Sequence, residues 1–381
     1  MMHTPFVPHD QEQRDRITAN LDETLFVEAG AGTGKTEALV SRIVALITTG
    51  RATISSMAAI TFTELAAAEL RERVRSRLLS RMESPGSPDT EKDLCRAAIR
   101  GFDSASIQTL HSFAGKLLRE RPLDIGLPPP FEVVESIEAD INFQDRWETW
   151  LDEALDAGGS APALARAMAL GLRLDQLREI AASFHERYDL LDRPFPVLPA
   201  PAREAVQGII DARDEILSLI PLAHDEDDPL AVHARKIIRF GERLDGIGAD
   251  SDMALSTLSR YGRLSLNRGR VQDWGEDPAT GKNSCTALKA VLNDLEGRRT
   301  DELDASRASL ICELSESIRE LAKGYAEERL QAGKLEFQDL LVLARNLLRD
   351  KEEAREYFQR RYTHILIDEF QDTDPIQAEI A

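Results

Sequence analysis

Residues 24–36 read Thr-Leu-Phe-Val-Glu-Ala-Gly-Ala-Gly-Thr-Gly-Lys-Thr, and this stretch decides the fold. Its first five residues, 24–28, predict a short buried strand, and a helix is expected from about Lys35 to Ile47. Between them, 29–36 (AGAGTGKT) fits the phosphate-loop pattern, with Ala29 where the strict form has glycine. Gly30, Gly32 and Gly34 allow a tight turn whose N–H groups approach phosphate oxygens, with Ala31 and Thr33 completing the loop. The helix after the loop points its positive end at the same anion. Lys35 supplies a point charge for the β- and γ-phosphates, and Thr36 supplies a hydroxyl for Mg²⁺.

A second pattern lies far along the chain. Residues 365–369 (ILIDE) place two carboxylates at the end of an apolar strand. Asp368 is the expected Mg²⁺ ligand and Glu369 the group that orients and deprotonates an attacking water. In open parallel sheets ligands bind beyond the carboxyl ends of strands, which is where both patterns fall.

Between these patterns, 57–62 and 105–109 predict strands, while 64–81 and 111–121 predict helices. Residues 83–89 and 126–130 are breaks, by their Pro, Gly and Ser content. From about 137 to 330 the patterns are mostly helical. The expected fold is α/β: a phosphate-loop domain of parallel strands and flanking helices, split by a large helical insert. The domain boundaries are placed at 1–120 with 335–381 for the nucleotide domain, and 121–334 for the insert.

The 381 residues carry a formal charge of −20. Acidity argues against a nucleic-acid partner only as an average, because a groove needs no more than a local basic strip. The helix after Phe62 has one, with five arginines and two glutamates between Glu69 and Arg81, although neighbouring acids could balance it. No apolar run reaches membrane-spanning length and the start has no signal-peptide core, so a cytoplasmic protein with no membrane partner is expected. Cys95, Cys285 and Cys312, odd in number and far apart, suggest reduced thiols. Trp147 and Trp150 are expected in a core or an interdomain seam.

Several further segments resemble the superfamily 1A DNA helicases of the UvrD/Rep type. Residues 60–74 (ITFTELAAAELRERV) are similar to that family's motif Ia, and 105–120 to its Thr-x-His-Ser-Phe motif. Residues 335–341 (LEFQDLL) resemble its Phe-x-Asp-Leu-Leu segment, and 367–377 (IDEFQDTDPIQ) its extended Walker B box. Gln13 fits its adenine-reading motif. The resemblance implies that Gln13 reads adenine and that Gly32, Gly34, Lys35 and Thr36 hold the phosphates and Mg²⁺ of ATP. It implies single-stranded DNA contacts from Thr61, Phe62 and Thr63, and from Thr109, His111, Ser112 and Phe113, with Phe62 available to stack on a base. Gln371 and Asp372 would couple the nucleotide site to the DNA track.

Glu37 departs from the arginine found in many UvrD- and Rep-like members and, with the long helical middle, favours a RecB/AddA-like branch. The resemblance further implies ATP-dependent 3′-to-5′ translocation on single-stranded DNA in repair or recombination. The insert would touch duplex DNA, and a helicase–nuclease subunit is a candidate partner. The family's later motifs, including an arginine worth roughly 10³–10⁵ in rate, have no match here, so the chain is expected to be an N-terminal fragment with weak ATP binding and little hydrolysis. The alternatives are another phosphate-loop ATPase motor and a nucleotide-insensitive DNA-binding scaffold.

Overall fold

The computed structural model describes residues 10–30, 32–156, 161–199, 204–248 and 251–380. Its contacts divide into two compact units, Met1–Ala139 with Glu327–Ala381, and Asp140–Ala326. The division falls inside two helices, Ser136–Leu155 and Ser284–Ala332.

The first unit is built on parallel strands β1 (Met57–Thr61) and β2 (Ser106–Thr109). Two short strands, β3 (Glu132–Val133) and β4 (Lys334–Leu335), come next, and then β5 (His364–Ile367). The main sheet has the order β2-β1-β5, with Ile60 opposite Gln108 on one side and Ile367 on the other. Every residue of β1 is buried, as expected of a parallel strand covered on both faces. Helices α1 (Gln11–Ala19), α2 (Lys35–Thr48), α3 (Glu64–Glu83), α4 (Asp89–Arg100) and α5 (Leu110–Glu120) surround it. One core joins Val40, Ile43, Leu46 and Ile47 of α2, Leu70, Val74 and Leu78 of α3, and Cys95 of α4 to Ile107 and Leu366 from the sheet. Those positions recur at three- and four-residue spacing, which gives each helix one apolar face. α5 packs against the helix Phe337–Asp350.

The fold is therefore α/β, with parallel strands flanked by helices in a partial RecA-like arrangement. One expected strand is absent. Residues 24–28 form no ladder with any described strand, and Phe26 and Val27 are 79% and 45% exposed. An apolar run becomes a strand only when a neighbour takes its backbone N–H and C=O groups and other elements cover its faces. The described residues supply no ladder and little cover, with Leu25 half-buried and Phe26 edge-on to Phe370 at 6.5 Å, so the segment stays irregular. The pairing of β3 with β4 has the opposite origin, since two residues in each strand carry no period to read. Gly333 permits it: its φ is 66°, and a Cβ there would lie 3.1 Å from Pro128.

The second unit is helical. The 49-residue helix Ser284–Ala332 gives Leu288, Leu292 and Leu295 to one core and Leu310, Leu314, Ile318 and Leu321 to another. Trp147 and Trp150 are buried in the latter, stacked with centroids 5.0 Å apart. All three cysteines are free thiols.

Candidate nucleotide and DNA site

The phosphate loop opens α2. Gly32 and Gly34 have φ of 75° and 94°, in the left-handed region where a side chain would be strained. The Gly30 carbonyl accepts from the Thr33 amide (3.3 Å) and hydroxyl (2.7 Å), which closes the turn. Ala29 is half-buried and Gly30 exposed, while Ala31 lies outside the described residues. Lys35 and Thr36 are the first two residues of α2, both half-buried.

β5 delivers the acidic pair to this loop. Its hydrogen bonding to β1 continues one residue past the strand, where the Asp368 amide donates to the Ile60 carbonyl at 2.8 Å. The next residue, Glu369, is the one non-glycine among the described residues with positive φ, at 55°. Strain of this kind persists only where surroundings fix it. Here the Lys35 ammonium donates to Glu369 Oε2 at 3.0 Å, and the Gln371 amide donates to the same oxygen. Gln371's amide first, and Lys35 next, hold the Glu369 carboxyl below the ordinary carboxylate range. Burial, and then the Glu369 charge, push Asp368 above it. Thr36 and Asp368 both offer hard oxygens, the donor type that suits Mg²⁺. The side chain of Asp372 lies outside the described residues.

Two arginines that no sequence motif singles out fix α1, which carries the exposed Gln13. Arg14 is ion-paired with Asp10 at 2.9 Å and donates to the Thr33 carbonyl at 2.9 Å, tying α1 to the loop. Arg42 of α2 donates to the carbonyls of Ile17, Asn20 and Glu23 at 2.7, 3.1 and 2.8 Å. Only their basic character was legible, because the acceptors are backbone carbonyls 19 to 25 residues away. Glu37 is ion-paired with Arg77. Other arginines of the α3 strip are also engaged: Arg73 with Glu69, Arg81 with Glu91 at 3.6 Å, and Arg71 with the Ile107 carbonyl at 2.8 Å.

The residues expected along DNA fall into two groups. Phe62 is 62% exposed, and Thr63, Ser112 and His111 are exposed or half-buried. Thr61, Thr109 and Phe113 are buried. Phe113, 2% exposed, packs edge-on against Tyr362 at 5.1 Å. Thr63 and Thr109 are N-caps, accepting from the amides of Ala66 (3.1 Å) and Ser112 (3.2 Å), so their hydroxyl oxygens serve helix ends. His111 rests on the ring of Phe337 at 5.4 Å, and burial pulls its pKa below the usual imidazole value. Glu64, not foreseen, joins the two segments: its Oε1 accepts from Thr109 Oγ1 at 2.8 Å and from Ser112 Oγ at 2.9 Å. Asp339, in the LEFQDLL segment, holds Arg329 with two bonds of 2.9 and 2.8 Å, both side chains buried.

A glycine-rich loop at a helix start, met by a carboxylate pair from the end of a parallel strand, is the signature of a phosphate-loop nucleotide-binding fold. Within that class, residues 9–381 match the model of the UvrD/REP helicase N-terminal domain, and the chain belongs to that family. It is 28% identical over 407 residues to an ATP-dependent helicase/nuclease subunit of Syntrophomonas wolfei, covering 97% of this chain and 32% of the relative. The like-named proteins of Pediococcus pentosaceus and Desulfitobacterium hafniense are 23% and 26% identical, over 93% and 95% of this chain and 32% and 29% of theirs. The chain thus spans about a third of the length of the curated relatives it matches. Among the described residues no helix is long and apolar enough to cross a membrane.

Proposed function

We propose that this chain is the nucleotide-binding part of an ATP-dependent DNA helicase that translocates 3′-to-5′ on single strands in repair or recombination. The observation that carries it is the 3.0 Å approach of Lys35 to Glu369, which unites the phosphate loop with the acidic strand end across the chain. Lys35 contacts the phosphates, Gln13 reads the adenine edge, and Thr36 and Asp368 hold Mg²⁺. The metal, when bound, neutralises charge on the phosphates. Glu369 orients the attacking water and takes its proton, and Gln371 reports the state of the site to the DNA track. Phe62, Thr63, His111 and Ser112 present that track, with Thr61, Thr109 and Phe113 supporting it from beneath.

Residues 121–334 act as the accessory subdomain that meets duplex DNA, and a helicase–nuclease subunit is the expected partner.

The test is fluorescent-ATP binding with Mg²⁺, with and without single-stranded DNA, on this chain and on Lys35→Ala. Binding that disappears in the variant and responds to DNA supports the reading. Binding by both that ignores DNA overturns it, and so does nucleotide binding by neither, which promotes the scaffold alternative.

A further inference from the structure

A serine or threonine hydroxyl has one proton to donate. The protons of Thr109 and Ser112 both go to one acceptor, Glu64 Oε1, at 2.8 and 2.9 Å. A DNA phosphate oxygen only accepts hydrogen bonds, and it carries negative charge. Thr109 is buried, so Ser112 is the hydroxyl a strand can reach; for it to donate to a phosphate, Glu64 must release it, and the incoming phosphate also meets the charge of this exposed carboxylate. Glu64 is well placed to keep its hold. It is the first residue of α3, where the helix end favours an anion, and Thr63 caps that end through the Ala66 amide. Ser112 sits in the first turn of α5, whose N-cap is Thr109.

We propose that Glu64 is an internal competitor for the DNA backbone: held in place by the buried Thr109 hydroxyl, it occupies the half-buried Ser112 hydroxyl in the free protein and lowers its affinity for single strands. This rests on the proposed DNA track and adds a regulatory residue to it. The geometry gives the competition a built-in reversal. The phosphate accepts the Ser112 hydrogen bond when the strand arrives, and Glu64 accepts it again when the strand leaves, so the strand is held without being trapped.

The experiment measures binding of a fluorescein-labelled oligothymidylate by anisotropy at low salt, for the unmodified chain, Glu64→Gln and Glu64→Ala. Glu72→Gln serves as a control that removes an exposed charge from the same helix. Both Glu64 variants should bind roughly two- to fivefold tighter, Ala more than Gln because Gln keeps an acceptor, and the gain should shrink as salt rises. Adding Ser112→Ala to Glu64→Ala should remove part of the gain. Equal or weaker binding by the Glu64 variants, while the unmodified chain binds, overturns the competitor role alone, as does an equal gain in Glu72→Gln. Absence of DNA binding by every variant, with nucleotide binding intact, overturns the DNA track and the competitor role together.

Discussion

Lys35 and Glu369 form an ion pair at 3.0 Å although 334 residues separate them. The lysine that would meet the phosphates is therefore engaged before nucleotide arrives. Glu369→Gln weakens that hold, so this variant should bind fluorescent ATP roughly two- to fivefold more tightly than the unmodified chain, while Lys35→Ala should lose binding. Because the Glu369 carboxyl lies below the ordinary carboxylate range, it stays charged, and the pair stays formed, until the pH falls through that lowered value. The Gln variant's advantage should therefore be constant from about pH 8 to 5 and vanish only in stronger acid.

Asp368 has the opposite sign. Burial and the Glu369 charge raise its folded pKa above the ordinary 3.8, so ionising it opposes folding. The protonated form's advantage is fully present below the ordinary value and is lost as pH rises through the raised one. Asp368→Asn should raise the thermal midpoint at neutral pH, leave it unchanged in strong acid, and abolish the tightening of ATP binding by Mg²⁺. Calorimetry at the two pH values and a Mg²⁺ titration check both halves.

Arg14 donates to the Thr33 carbonyl inside the phosphate loop. Arg14→Ala should weaken ATP binding by roughly two- to tenfold through loss of that bond, with partial rescue by Arg14→Lys. An unchanged dissociation constant would remove Arg14 from the site.

Phe62 and Phe113 share a side chain and differ in surroundings. Phe62→Ala should cost single-strand affinity by about 1–3 kcal/mol, the worth of one stacked base, with little change in stability. Phe113→Ala should instead cost about 3–5 kcal/mol of folding stability, because it empties a packed core position. Anisotropy and urea unfolding on the two variants separate these roles.

The Arg329–Asp339 pair leaves those side chains only 6% and 3% exposed. Removing the arginine strands the buried carboxylate, so Arg329→Ala should destabilise the first unit by about 3–5 kcal/mol in urea titrations, and Asp339→Ala by less, because Arg329 keeps Glu336 at 3.6 Å.

The sequence by itself determined whatever depends on near neighbours. The loop at 29–36 was legible because glycines at 32 and 34 and a Lys-Thr pair are local requirements of a phosphate-binding turn. The strands at 57–61, 106–109 and 364–367, and the helices from Lys35, Glu64 and Leu110, were legible because apolar period and capping chemistry act within a few residues. Only the tertiary structure decided whether an apolar segment found partners, and so it left 24–28 without a ladder and Phe26 and Val27 exposed. It also set the acceptors of Arg14, Arg42 and Arg329, the burial of Phe113, and the claim of Glu64 on two hydroxyls 45 and 48 residues away. Burial and hydrogen-bond pairing are properties of what the folded chain brings alongside a residue, and no local pattern encodes which distant group that will be.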